Sequence, residues 1–163
     1  LIQQAVLKVS QAQMLEQYLH DQIPLSVALG VQVALASRSK IIIHAPLANN
    51  INHKKTVFGG SLHAIATLAC WGLLYLNLKD QLDCSEIVIT HSEIDFLLPV
   101  TDDFSATAML PEPPVWDKFI KTLERKGKAR IQLGASVSQN GVNAVVFQGT
   151  FAVLKKVDQK PDQ

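Results

Sequence analysis

Residues 49–67 hold most of the groups with which this chain could do chemistry. The run Asn49-Asn50-Ile51-Asn52 leads to Phe58-Gly59-Gly60, and an almost wholly apolar stretch follows to Leu78. That stretch predicts a long helix over about 59–79, ended by Lys79-Asp80, with Gly59 and Gly60 at its start. A helix N-terminus carries unpaired N–H groups and the positive end of the helix dipole. Glycines there let a substrate oxygen approach the backbone closely. The Asn52 amide can hydrogen-bond a carbonyl or hold a water. Gly60, His63 and Thr67 share one helical face, so His63 could supply a base and Thr67 a hydroxyl that orients water. Each group has a plainer alternative. The glycines could serve tight packing, the asparagines could make turns, and His63 could be a half-buried, backbone-bonded histidine. Ser61 is expected to cap the helix, since no Gly-x-Ser-x-Gly elbow surrounds it.

Other polar groups are read more modestly. His91, Glu93 and Asp95 alternate along a predicted strand. They could form a metal site or an acid/base pair, but a polar outer face or a dimer seam is the expectation, and no metal is expected. Lys54 and Lys55 form one basic cluster, and Arg125, Lys126, Lys128 and Arg130 a second. Either could meet phosphates or an acidic protein surface, or simply face solvent. The net charge of +1 makes no case for nucleic acid or an anionic membrane. Cys70 and Cys84 have no metal-type spacing, Cys70 reads as core, and a reducing cytoplasm is the default setting.

With 163 residues, 48% hydrophobic and 18% charged, the chain fits one globular domain with a real core. Residues 1–22 read as one or two amphipathic helices, with Leu7, Met14, Leu15, Tyr18 and Leu19 at helical spacing, or in part as a linker from an upstream domain. No secretory signal is evident, and because the chain opens at Leu1 and not at Met an upstream segment is expected. Strands are expected at 31–35 and 41–45, and the longest at 85–98. In the longest, strict alternation would place Val88, Thr90, Ser92 and Ile94 on one face and Ile87, Ile89, His91, Glu93 and Asp95 on the other. A further strand is expected at 103–110, and 115–126 reads as a short helix or loop. Two strands then flank Gln139-Asn140-Gly141, a type I′ hairpin signal, and 157–163 form a frayed tail. Strands without regularly interleaved helices imply an antiparallel sheet of about six strands, so the class is α+β. The segment 59–78 is long enough to span a bilayer, but the alternating strands need an internal core, and no membrane partner is expected.

This order resembles the hotdog fold of acyl-thioesterases and dehydratases. More closely it resembles the thioesterase-type domain at the C-terminus of YiiD-like proteins, often found after an N-acetyltransferase domain. The resemblance rests on Ala45-Pro46-Leu47-Ala48, Asn50-Ile51-Asn52 and Phe58-Gly59-Gly60-Ser61-Leu62. Leu68-Ala69-Cys70-Trp71-Gly72-Leu73-Leu74 and Lys128-Ala129-Arg130-Ile131-Gln132-Leu133 extend it, and it covers about residues 20–155, with the domain placed at 23–156.

The resemblance implies a single hotdog domain acting on an acyl thioester of coenzyme A or acyl carrier protein, with no cofactor beyond that carrier. It also implies a homodimer or higher oligomer with sites between subunits. Many relatives carry Asn or Asp six residues before a His-Gly-Gly triplet, a position that Asn52 fills while Phe58 replaces the histidine. Relatives often carry Asp or Glu nine residues after that histidine, and Thr67 stands there. The implied catalytic set is Asn52, Gly60, His63 and Thr67. The implied binding set is Asn50, Phe58, Gly59, Ser61, Lys128 and Arg130. Hydrolysis, as in a fatty-acid thioesterase, is the leading expectation. The missing carboxylate leaves two alternatives: decarboxylation of a malonyl thioester, or a non-catalytic carrier-binding or dimerisation module.

Overall fold

The computed structural model describes the backbone of residues 2–80 and 84–156 and the side chains of 11–80 and 86–156. The expected tail at 157–163 and the side chains of Leu7 and Cys84 lie outside these residues. The element order is α1 (Ile2–Gln22), α2 (Pro24–Ala28), β1 (Gln32–Ala36), β2 (Lys40–Ala45), α3 (Leu47–Asn50), α4 (Gly59–Leu78), β3 (Cys84–Phe96), β4 (Phe104–Met109), α5 (Pro113–Lys126), β5 (Lys128–Gln139) and β6 (Val142–Lys155). Six strands form one antiparallel sheet in the order β1-β2-β4-β5-β6-β3. The expected α+β class holds. Asn140 (φ 52°) and Gly141 (φ 76°) make the β5–β6 turn, as the Asn-Gly pair predicts.

The sheet wraps α4, which contacts β2, β3, β4, β5 and β6. Ile65, Leu73, Leu74 and Leu78 are fully buried on it. Each contributes about 1.5–3 kcal/mol by leaving water. The helix is long and apolar enough to span a membrane, yet 72% of that window is buried within the protein, as befits a core helix. A second cover comes from α1, a single helix. Its Leu15 lies against Gly72, where a Cβ would come within 3.2 Å of the leucine Cδ2. Tyr18 stacks on Tyr75 with ring centroids 4.3 Å apart, and Trp71 continues the stack 5.3 Å from Tyr75. The Glu16 carboxylate accepts the Val33 N–H (2.8 Å) on edge strand β1, so this edge is partly blunted. Near the other end of α4, buried Asn77 donates to the carbonyls of Leu73 (2.9 Å) and Arg38 (2.8 Å), tying α4 to the β1–β2 turn.

Two expectations change. The segment at 115–126 takes the helical one of its two expected forms, within a 14-residue helix, α5, that starts at Pro113 and ends on left-handed Gly127 (φ 69°). Its place follows from the register. β4 pairs only with Ala135–Val137 of β5, so α5 packs beside the earlier half of β5 and buries Phe119 and Leu123. The second, a correction, concerns β3. It has 13 residues and is shorter than β6, with 14. Its alternation is also broken. Ile89 pairs with Phe151 and His91 with Thr150, so Thr90 is an extra, bulged residue. The inward set therefore changes parity from Ile87 to Ser92 and Ile94, and His91, Glu93 and Asp95 are exposed.

Gly149 faces Ser92 across the β3–β6 pair. A Cβ there would stand 2.8 Å from Cε2 of Phe151 and 3.0 Å from Cε1 of Phe147, both buried rings. Gly149→Ala is expected to lower stability by about 1–3 kcal/mol through overpacking. Urea unfolding checks this, and an unchanged midpoint would mean that the rings shift freely.

Candidate active site

The site is a seam between α4 and β3, which run antiparallel. Gly59 meets Phe96, whose ring would lie 3.4 Å from a Cβ at the glycine. One turn on, His63 meets Ser92, with Nε2 and Oγ 2.9 Å apart. Further along, the Trp71 Nε1–H donates to the Ile87 carbonyl (3.0 Å). Gly59, His63, Thr67 and Trp71 recur every four residues, so they form one stripe, and all four are partly exposed.

A short loop aims the chain into this stripe. Val57 N–H donates to Val100 O and Phe58 N–H to Asn50 O, both at 2.8 Å. Phe58 is the N-cap of α4 and gives no side-chain cap. Its carbonyl accepts from Ser61 (3.0 Å) and Leu62 (3.2 Å), whereas the N–H groups of Gly59 and Gly60 donate no hydrogen bond among the described residues. Two donors are thus left at the helix mouth, where the macrodipole adds positive potential. The exposed Phe58 ring lies over Gly60, and a Cβ on Gly60 would collide with its Cε1. A side chain at position 60 would therefore have to displace this exposed ring. Beside Gly59 opens a cleft of about 340 Å³, lined by Val57, Leu62, Phe96, Leu98 and Val100 among others. A larger concavity of about 610 Å³ lies between α5 and β5. Lys118 and Arg130 line it, but it holds no nucleophile–base pair.

His63 is held on three sides. Its ring meets Phe147 edge-on, 5.3 Å between centroids. Thr67 Oγ1 donates its only proton to the His63 carbonyl (2.9 Å), one turn back. In the long Thr67 Oγ1···His63 Nδ1 contact (3.5 Å) the hydroxyl is then left to accept. A ring carrying its proton on Nδ1 fits this network, and Nε2 then accepts from the Ser92 hydroxyl. No carboxylate hydrogen-bonds His63 among the described residues. Ser92 was not among the residues singled out from the sequence. Alternation already sets it with Ile94 opposite His91, Glu93 and Asp95, and the Thr90 bulge, which nothing in the run Ile89–Asp95 signals, turns Ile87 inward as well.

Other expected site residues stand elsewhere. Asn52 Oδ1 accepts from Lys54 (2.9 Å) and Thr56 (3.2 Å), and its amide donates to Thr56 Oγ1 (2.9 Å). Asn52 thus builds the 52–56 turn with its side chain, and the left-handed residue there is Lys55 (φ 64°). Asn50 is buried and donates to Leu29 O (2.9 Å) and Pro46 O (2.8 Å), which turns it into the protein rather than toward the seam. Ser61 is buried at the third helical position and is not the cap. Lys128 and Arg130 lie on the outer face of the sheet. Lys128 pairs with Leu154 and Leu154 with Glu86, ten positions from Phe96, or roughly 30 Å at the usual strand rise. His91 and Glu93 make an exposed 3.4 Å contact, and no cluster of three or more metal-ligating side chains exists among the described residues. Cys70 is a core residue, its thiol pushed up to about 12 by burial.

An antiparallel sheet curled around one long helix is the hotdog fold, which the chain shares with thioesterases of known structure. Within it the chain belongs to the YiiD_C family, described as "Putative thioesterase (yiiD_Cterm)", whose model matches residues 12–155. It is 33% identical to a protein of unknown function from Chlorobaculum tepidum, over 89% of this chain and 94% of that one, with a TM-score of 0.82. It is 28% identical to a "putative thioesterase" from Shewanella oneidensis, over 90% and 99%, with a TM-score of 0.78. A thioesterase from Haemophilus influenzae shares the fold at 14% identity, over 91% and 93%, with a TM-score of 0.70.

Asn52→Ala is expected to loosen the turn without unfolding the domain. Amide exchange at Lys54 and Thr56, whose N–H groups it binds, should accelerate by about 5- to 30-fold, equivalent to 1–2 kcal/mol. Unchanged exchange would show that the backbone holds the turn unaided.

Proposed function

We propose that this domain hydrolyses acyl thioesters carried on coenzyme A or on the phosphopantetheine of an acyl carrier protein. The observation that carries the proposal is His63, held with Nε2 2.9 Å from the Ser92 hydroxyl, one turn above the N–H groups of Gly59 and Gly60, which are unpaired among the described residues. A thioester carbonyl seated at the helix mouth accepts these N–H groups, which stabilise the negative charge that grows on its oxygen. The acyl chain enters the apolar cleft between the α4 mouth and Phe96–Val100. His63 is the base that takes the proton of the attacking oxygen. Thr67 positions His63 and replaces the carboxylate usual in related enzymes. Asn52 acts through the loop, by setting the path into Phe58.

The same proposal includes a homodimer. β3 is an edge of the sheet, and Val88, Ile89 and Phe96 along it are exposed. A partner pairing there would cover these side chains and close the seam from the open side.

The test is release of free thiol from acetyl-, malonyl- and long-chain acyl-coenzyme A, with carbon dioxide measured alongside. His63→Ala is expected to lower kcat for thiol release by about 10²- to 10⁴-fold with the fold intact. Carbon dioxide without thiol from the malonyl ester would replace hydrolysis by decarboxylation. Neither product from a folded dimer would leave a carrier-binding module.

A further inference from the structure

We propose that Ser92 is the nucleophile of this site and that the acyl group passes through an ester on its Oγ. This rests on the thioester reading above and specifies its first step. Four observations carry it. The Ser92 hydroxyl lies 2.9 Å from His63 Nε2, within the range in which a base takes a hydroxyl proton. The proton on Thr67 goes to the His63 carbonyl (2.9 Å), so Thr67 can only accept at Nδ1 (3.5 Å), which fits a ring protonated there with Nε2 as the acceptor. Phe147 meets the imidazole edge-on and limits its rotation. The Thr90 bulge lets Ser92 and Ile87 both face inward, and bulges recur where a strand must re-aim a functional side chain.

The arrangement has the three parts of an activated serine: a nucleophile, a base within reach, and a third group that fixes the base's tautomer. Here the third group is a hydroxyl, Thr67. Both Ser92 and His63 are only partly buried, so a substrate carbonyl has access to them. The helix fixes the spacing to the donors. Three to four residues separate His63 from Gly60 and Gly59, or roughly 5–6 Å along the axis, which leaves room for one carbonyl between them.

The chemistry balances in two halves. Ser92 Oγ bonds to the thioester carbon while its proton passes to His63 Nε2. The C–S bond then breaks, and His63 returns that proton to the departing sulfur as free thiol. Water next attacks the ester carbon and gives a proton to His63. The C–Oγ bond breaks, His63 restores the proton to Ser92, and the acid leaves.

Three measurements test this on the whole chain. Acid-quenched intact mass and peptide mapping after mixing with acetyl-coenzyme A should find one acetyl group on the Ser92 peptide. Ser92→Ala should lose the adduct and lower thiol release by on the order of 10³-fold, with thermal unfolding near wild type. A fluorophosphonate probe should label Ser92 in the wild type and fail in His63→Ala, whether or not any thioester is turned over. Hydrolysis that continues in Ser92→Ala within about threefold, with no adduct in the wild type, would overturn the serine and leave the thioesterase proposal standing. Absence of thiol release from every ester, with Ser92 still labelled, would overturn that proposal and support the serine. Absence of both would overturn both.

Discussion

The constraint on which the molecule depends is the burial of α4. Twenty residues with almost no polar side of their own need cover on nearly every face. The antiparallel sheet supplies most of it by curling around the helix, and α1 adds cover through Leu15 and Tyr18. The stripe from Gly59 through His63 and Thr67 to Trp71 is covered only in part. It lies against β3, where the sheet ends. The seam is therefore a consequence of how the core closes. A helix this apolar can carry polar chemistry only along the strip its covers leave open, and the three polar side chains of the seam, His63, Thr67 and Ser92, fall there.

The seam in turn depends on details of β3 and β6 that have little to do with the core's hydrophobicity. One bulged residue, Thr90, lets Ile87 and Ser92 both face inward. One glycine, Gly149, lets Phe147 and Phe151 close beneath it. Were β3 a regular strand, keeping Ile87 inward would turn Ser92 outward and bring His91 to the helix. Two imidazoles would then face one another across the seam. The bulge thus settles which chemistry the strand offers, at the cost of a locally unpaired residue on an edge that is already irregular.

The fold was legible in the sequence because its signals are periodic. The Asn-Gly turn, the alternation along 128–139 and the apolar run of 59–78 each specify an element independently of the others. The membership and the helix mouth followed from motifs at fixed spacing. The polar site was legible only in part. His63 and Thr67 share a face by helical geometry, which a sequence states directly. Ser92 reaches them from a segment 25 residues beyond Thr67, and alternation along the strand states its face but not which helical residue it meets. Asn50 and Asn52 make local hydrogen bonds that their spacing does not foretell. An asparagine that binds substrate and one that binds its own turn have the same sequence signature, and only the hydrogen-bond partners separate them. Lys128 and Arg130 were grouped with the site by motif, yet strand register carries them to the far end of the sheet.

The division of labour between rigid and irregular elements has a chemical consequence. The two donor glycines and His63 sit on one helix whose core face is locked, so their mutual distance changes little when substrate arrives. Preorganised donors of this kind stabilise a developing oxyanion without the reorganisation that water would require. The groups that would meet the acyl chain belong instead to the loop and the β3 exit: Val57, Phe96, Leu98 and Val100, with the exposed Phe58 and Leu97 beside them. Substitution there alters the slot and leaves the donors and the base in place. On the proposed function, reaction type would rest on α4 and the irregular strand β3, and acyl preference on the apolar residues around the helix mouth.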